Sequence, residues 1–147
     1  MTEHLRRAVV TGASSGIGWA ITERLVTDGW QVVGISRTGR VPEGALSVSA
    51  DLAEDGVWEA ITQAQNLLGG VDAITFTAGI GENSAFTRRE ICAKLAGIGV
   101  VLDEELNGRR DKAPHLISAP ESRVGVLVVR TNEELAMAQQ AAGLLAG

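Results

Sequence analysis

Apolar, largely β-branched runs alternate along this chain with stretches whose apolar residues recur at helical spacing. The runs are Arg7–Thr11, Gln31–Ser36, Ala45–Ala50, Val71–Thr77 and Val124–Val129. Most are almost continuously apolar, the pattern of parallel strands buried on both faces rather than strands with one wet side. Between them, Ile17, Ala20, Ile21 and Leu25 make one helical stripe, and Val57, Ile61, Ala64 and Leu68 a second. A third helix is predicted from near Ser84 to Ala96 with Ile91 and Leu95 inward. Thr131-Asn132-Glu133-Glu134 reads as a capping box ahead of a fourth, which offers Leu135, Ala138, Ala142 and Leu145. Such alternation predicts right-handed crossovers and a three-layer, doubly wound α/β fold with five parallel strands. The exception is Gly99–Arg123, a longer polar excursion that reads as turn and surface, with His115–Ser118 as a brief extended piece.

Length and composition narrow this picture. The 147 residues suit one α/β domain over 1–147, and 45% apolar with 21% charged residues is the balance of a globular protein. No apolar run approaches the roughly 20 residues that cross a bilayer, and Met1–His4 lacks the apolar core of a signal peptide, so a cytoplasmic chain without a membrane partner is expected. The net charge is −5 and the basic residues are scattered apart from short pairs such as Arg88-Arg89 and Arg109-Arg110, which argues against nucleic acid as a partner. Cys92 is alone, so no intrachain disulfide can form, and no Cys/His cluster has metal-ligand spacing. Trp19, Trp30 and Trp58 read as packing residues on or beside helices.

Chemistry enters at Thr11-Gly12-Ala13-Ser14-Ser15-Gly16-Ile17-Gly18. Glycines permit a tight turn and a close backbone approach, and a helix N-terminus presents unpaired N–H groups to a pyrophosphate. The segment follows a predicted strand and opens a predicted helix, which is the context such a loop requires. Its spacing resembles the cofactor loop of the short-chain dehydrogenase/reductase family over about Arg7 to Leu68. That resemblance implies cofactor contacts from Gly12, Ser14, Ser15, Gly16, Ile17 and Gly18, from Arg37 after the second strand, and from Asp51-Leu52 after the third. A guanidinium at position 37 matches a 2′-phosphate, so NADP is expected over NAD. The family's Ser-Tyr-Lys set does not follow, and the chain has no tyrosine at all, which rules out dehydrogenase chemistry as that family performs it.

From about Gly69 the sequence changes character. Phe76-Thr77-Ala78-Gly79-Ile80-Gly81-Glu82-Asn83-Ser84, then Ser118-Ala119-Pro120-Glu121-Ser122-Arg123, then Thr131-Asn132-Glu133-Glu134-Leu135 resemble the C-terminal end of acetate kinases. The resemblance implies adenosine contacts from Gly79, Ile80, Gly81 and Asn83, and a magnesium-associated role for Glu133. It also implies that the phosphotransfer groups lie in segments not seen here. Taken together, the two resemblances imply strand order 3-2-1-4-5 with a seam near Gln65–Val71. They lead to the expectation of an engineered chimera without a complete active site, with no catalytic or metal residues, no required cofactor and no physiological reaction. Residual, weak binding of NADP(H) or an adenine nucleotide at the glycine-rich loop is the alternative. Oligomeric state is left open.

Overall fold

Strand β1 (Arg7–Thr11) is buried from Ala8 to Thr11, as expected of a run with no polar side to offer solvent. In the computed structural model, which describes residues 5–51, 57–77, 83–130 and 134–146, it is followed by α1 (Gly16–Thr27), β2 (Gln31–Ser36), β3 (Leu46–Ser49) and α2 (Val57–Leu68). Then come β4 (Ala73–Thr77), α3 (Ala85–Lys94), a 3-10 turn at Ala96–Ile98, α4 (Glu104–Gly108), β5 (His115–Leu116), β6 (Gly125–Val129) and α5 (Glu134–Ala146). The described strands form one sheet in the order β3-β2-β1-β4-β6-β5. All pairs are parallel except β5–β6, which is antiparallel.

Strand alternation divides the core between the two faces of the sheet. Ala8, Val10, Val32, Ala73, Leu127 and Val129 meet Ile17, Ile21 and Leu25 of α1 and Ala138 and Ala141 of α5. Val9, Val33, Ile35, Ile74, Phe76, Val126 and Val128 meet Ile61, Ala64 and Leu68 of α2 and Ile91 and Cys92 of α3. Both layers combine strands from before and after the expected seam. At the seam itself Gly69 and Gly70 take positive φ of 74° and 145°, a conformation that favours glycine. Arg7 fastens the turn, donating from its backbone N and Nε to Asp72 Oδ2 (2.8 and 3.2 Å) and from its guanidinium to the Gly69 carbonyl (2.9 Å).

The three-layer α/β architecture stands as expected, with two corrections. There is a sixth strand, so the order 3-2-1-4-5 becomes 3-2-1-4-6-5: His115–Leu116 pairs with Val128 and Leu127 at the sheet edge, adding one antiparallel strand to the predicted parallel five. The Gly99–Arg123 excursion is also more than turn and surface. Val100 and Ile117 are fully inside the core, α4 is capped by Asp103 accepting from the Leu106 N–H (3.0 Å), and Leu102 bridges Ser118. Too few apolar residues recur here for a periodicity to show, so only tertiary packing reveals the element. The capping box at Thr131–Glu133 and the side chains of Val57, Trp58 and Leu135 lie outside the described residues. No described helix is long and apolar enough to cross a membrane.

Candidate functional site

Pairing between β1 and β4 ends at Val10↔Thr75, although β1–β2 continues to Thr11↔Ile35 and β4–β6 to Thr77↔Val129. The two central strands therefore part at their carboxyl ends. Thr11 spans the opening: its Oγ1 accepts from the Thr77 N–H at 3.1 Å and lies 3.3 and 3.4 Å from the Thr75 and Thr77 carbonyls. From β1 the chain winds one way, to β2 and β3, and from β4 the other way, to β6. This gap is thus the topological switch point, where open α/β sheets take their ligands.

The glycine-rich loop borders this gap. After β1 the Gly12 and Ala13 N–H groups donate to the Ile35 carbonyl (2.9 and 3.4 Å), turning the chain across the end of β2. Gly12 and Gly16 have φ of 66° and 56°. A Cβ at Gly18 would lie 2.1 Å from the Gly12 carbonyl oxygen and 3.1 Å from Thr77 Cγ2, so the loop folds against its own helix only because residue 18 is glycine. Ser15 is the extended N-cap of α1, but its side chain makes no capping hydrogen bond. The first N–H groups of a twelve-residue helix thus lack a side-chain cap and meet the crevice with the positive end of its dipole. Ser14 is half-buried, Ser15 and Gly16 are exposed, and Ile17 is core.

Gly34 was not anticipated by sequence reading. Its Cβ would stand 2.7 Å from that of Ala13 and 2.6 Å from Val41 Cγ1, so β2 must be bare at this point for the loop to lie on it. A glycine inside an apolar strand is the signal that could have found it.

Other predicted positions fall around the same edge. Arg37 is exposed just beyond β2, where its carbonyl accepts from Ser49 Oγ at 3.0 Å. Asp51 is half-buried past β3 on the neighbouring strand. Asn83 is exposed beside Ser84, the α3 N-cap, whose Oγ accepts from the Thr87 N–H at 3.1 Å. Leu52, Gly79, Ile80, Gly81 and Glu133 lie outside the described residues. Among the described residues no group of three His, Cys, Asp or Glu side chains could hold a metal ion.

Trp19 and Trp30 each carry a cation over the ring, Arg40 at 4.9 Å and Arg6 at 5.6 Å from the centroid. Trp30 lines a cleft of about 790 Å³ with Arg6, Asp72, Leu116 and Leu145. That cleft opens at the amino ends of the strands, away from the glycine loop. Cys92 is buried, and desolvation pushes its thiol up to about 12, more than neighbouring Arg88 draws it down. It stays protonated at neutral pH and is inert as a nucleophile.

Similarity to known proteins identifies the second half of the chain. The acetokinase family matches residues 48–139, beginning upstream of the seam expected near Gln65–Val71. Acetate kinase of Desulfotalea psychrophila is 55% identical over 73 residues, covering 50% of this chain and 18% of that protein. The acetate kinase of Aster yellows witches'-broom phytoplasma is 46% identical over 92 residues, 63% of this chain and 22% of that protein. The chain thus spans about a fifth of the length of these curated relatives. Among solved structures, acetate kinase from Entamoeba histolytica superposes with a TM-score of 0.50 at 29% identity, covering 62% of this chain and 24% of that one. A short-chain dehydrogenase from Streptomyces avermitilis gives 0.47 at 31% identity, covering 54% and 32%.

These matches overturn the expectation of an engineered, non-enzymatic chimera with no physiological reaction. That expectation rested on the catalytic groups missing from each resemblance, whereas the acetate-kinase resemblance of the second half is the one the matches support. A match over more than half of the sequence, with relatives about half identical across it, places this chain in the acetokinase family.

Proposed function

We propose that this chain forms the nucleotide-binding part of an acetate-kinase-type phosphotransferase, acting in the cytoplasm, and that it holds an adenine nucleotide at the crevice between β1 and β4. The observation that carries the reading is the uncapped N-terminus of α1, brought against the carboxyl end of β4 by Gly18. Phosphoryl transfer depends on holding the nucleotide's phosphates in a fixed place and polarising them, and oriented backbone N–H groups do both without reorganising. Acetate as acceptor follows from the names of the curated relatives.

In this reading residues up to about 68 contribute a phosphate loop of the short-chain dehydrogenase/reductase type, joined to an acetokinase C-terminal segment. Support comes from Thr11–Gly18 and from the way Arg7, Gly69 and Asp72 tie the two parts together. Gly79, Ile80 and Asn83 supply adenosine contacts, and Arg37 and Asp51, just beyond β2 and β3, contribute cofactor contacts. NADP binds weakly at the same loop through Arg37, and no cofactor is required.

Isothermal titration of the full chain with ATP, ADP, NADPH and NADH tests this. Saturable binding of ATP and ADP weaker than about 1 µM is expected, because loop and adenine contacts supply only part of a nucleotide's interactions. NADPH should bind more weakly than ATP but more tightly than NADH. No heat with any nucleotide at roughly millimolar concentration, where even about −4 kcal/mol of affinity registers, would overturn the reading.

A further inference from the structure

The cleft at the amino ends of the strands lies across the sheet from the glycine loop. Arg6 precedes β1, Trp30 precedes β2, Asp72 precedes β4 and Gly125 opens β6, and all four line it. Its volume of about 790 Å³ falls within the roughly 300–1,000 Å³ of small-molecule sites. Aliphatic side chains form much of its wall: Leu116 from β5, and Leu144 and Leu145 from α5. Leu116 and Leu144 stay 37% and 39% exposed, so this stretch of apolar surface is left without a partner by the described fold.

Three charged side chains reach the cleft, and they are not equally engaged. Asp72 Oδ2 accepts from the Arg7 backbone N–H (2.8 Å) and from Arg7 Nε (3.2 Å), which compensates its charge. Asp103 accepts from the Leu106 N–H at 3.0 Å and caps α4. Arg6 is exposed and takes part in none of the ion pairs seen among the described residues. Its guanidinium lies 5.6 Å from the centroid of the Trp30 ring.

That ring is a firm support. Trp30 is 8% exposed, its N–H donates to the Leu25 carbonyl (2.9 Å), and the next N–H, of Gln31, donates to the Arg6 carbonyl (2.9 Å). Arg6 is thus tied to the tryptophan by backbone and side chain, and a guanidinium already held on an aromatic face loses less freedom when an anion binds. Its planar fork matches the two oxygens of a carboxylate, and the leucine wall matches an alkyl chain.

We infer that this cleft is a second ligand site, which takes a medium-chain aliphatic carboxylate with its head group on Arg6 and its chain along Leu116, Leu144 and Leu145. The site uses no residue of the glycine-rich loop and stands independently of the nucleotide reading.

The test is NMR of the full chain labelled with ¹⁵N, following the indole N–H groups of Trp30 and Trp19 during titration with octanoate, octanol and octylamine. The Trp30 resonance should move and saturate with octanoate while Trp19, beside the glycine loop, stays in place. Octanoate should bind about threefold to fivefold more tightly than octanol, the scale of an exposed ion pair, and added salt should narrow that margin. Octylamine should bind most weakly of the three. Arg6→Gln should bring octanoate down to octanol and leave octanol unchanged, with Arg6→Lys between. Leu116→Asn and Leu144→Asn should weaken octanoate and octanol alike, and saturating ATP should change none of these affinities. The site would be overturned by a Trp30 signal that ignores octanoate, by Trp19 moving as far as Trp30, by octylamine equalling octanoate, or by Arg6→Gln leaving octanoate as tight as before. Trp30 shifts that follow protein concentration without ligand would overturn it too, in favour of a second copy of the chain as occupant. Octanoate binding to a chain that binds no nucleotide would count against the nucleotide reading alone.

Discussion

Helices α1 and α3 both begin beyond the carboxyl end of a central strand, and each starts behind a serine in extended conformation, Ser15 in one and Ser84 in the other. Ser84 closes its own helix, accepting from the Thr87 N–H and donating to Thr87 Oγ1 at 2.9 Å. Ser15 does not, and its helix meets the gap between β1 and β4 without a side-chain cap. The same residue type at the same point of the fold thus serves stability in one helix and leaves donors for a ligand in the other. What separates them is the approach of the chain. The Gly12–Gly18 turn is so tight that a Cβ at Gly18 would strike the Gly12 carbonyl, whereas Ser84 leads into an ordinary capped first turn.

The largest effect should come from breaking that turn. Gly18→Ala is expected to cost about 3 kcal/mol or more in urea unfolding, because the added methyl meets backbone that cannot swing aside. A loss under about 1 kcal/mol would mean the loop has room to spare and its geometry is not set by this contact. Ser84→Ala comes next, at about 1 kcal/mol with nucleotide affinity unchanged, since a cap bond is lost and no crevice donor moves. Ser15→Ala should be smallest, within about 0.5 kcal/mol, since no capping bond exists to lose. Equal destabilisation by Ser15→Ala and Ser84→Ala would erase the contrast between the helices.

Much of this was legible because each inference rested on a local rule. The strands β1, β2, β4 and β6 show as apolar runs, α1 and α2 as stripes of Ile17, Ile21 and Leu25 or Ile61, Ala64 and Leu68, and all six of these side chains are buried. The glycine loop was recognisable from its place between a strand and a helix, and the kinase segment from FTAGIGENS and TNEEL. The judgement that the chain carries out no reaction failed for a different reason. It inferred function from missing residues, and absence in about a fifth of a family's length says little about a family to which the chain belongs.

Less visible were features that depend on residues far apart in sequence. Gly34 matters because Ala13 and Val41 press on it. Asn107, in a stretch that reads as surface, is 1% exposed because it holds the buried Arg88. His115 opens the brief extended piece expected of that excursion, but its pairing opposite Val128 and the burial of its Nε2 come from β6, distant in sequence.

By itself, then, the sequence determined which segments become strands and helices, that the sheet is covered on both faces, and that a phosphate-type turn opens α1. Hydrophobic period and glycine conformational freedom act over a few residues, so they can be read from the chain directly. Only the tertiary structure decided where β1 and β4 part, that Thr11 spans the gap, that Ser15 leaves its helix without a side-chain cap, and that His115 pairs opposite Val128. Those outcomes depend on pairing register and packing between segments tens of residues apart, which no local pattern encodes.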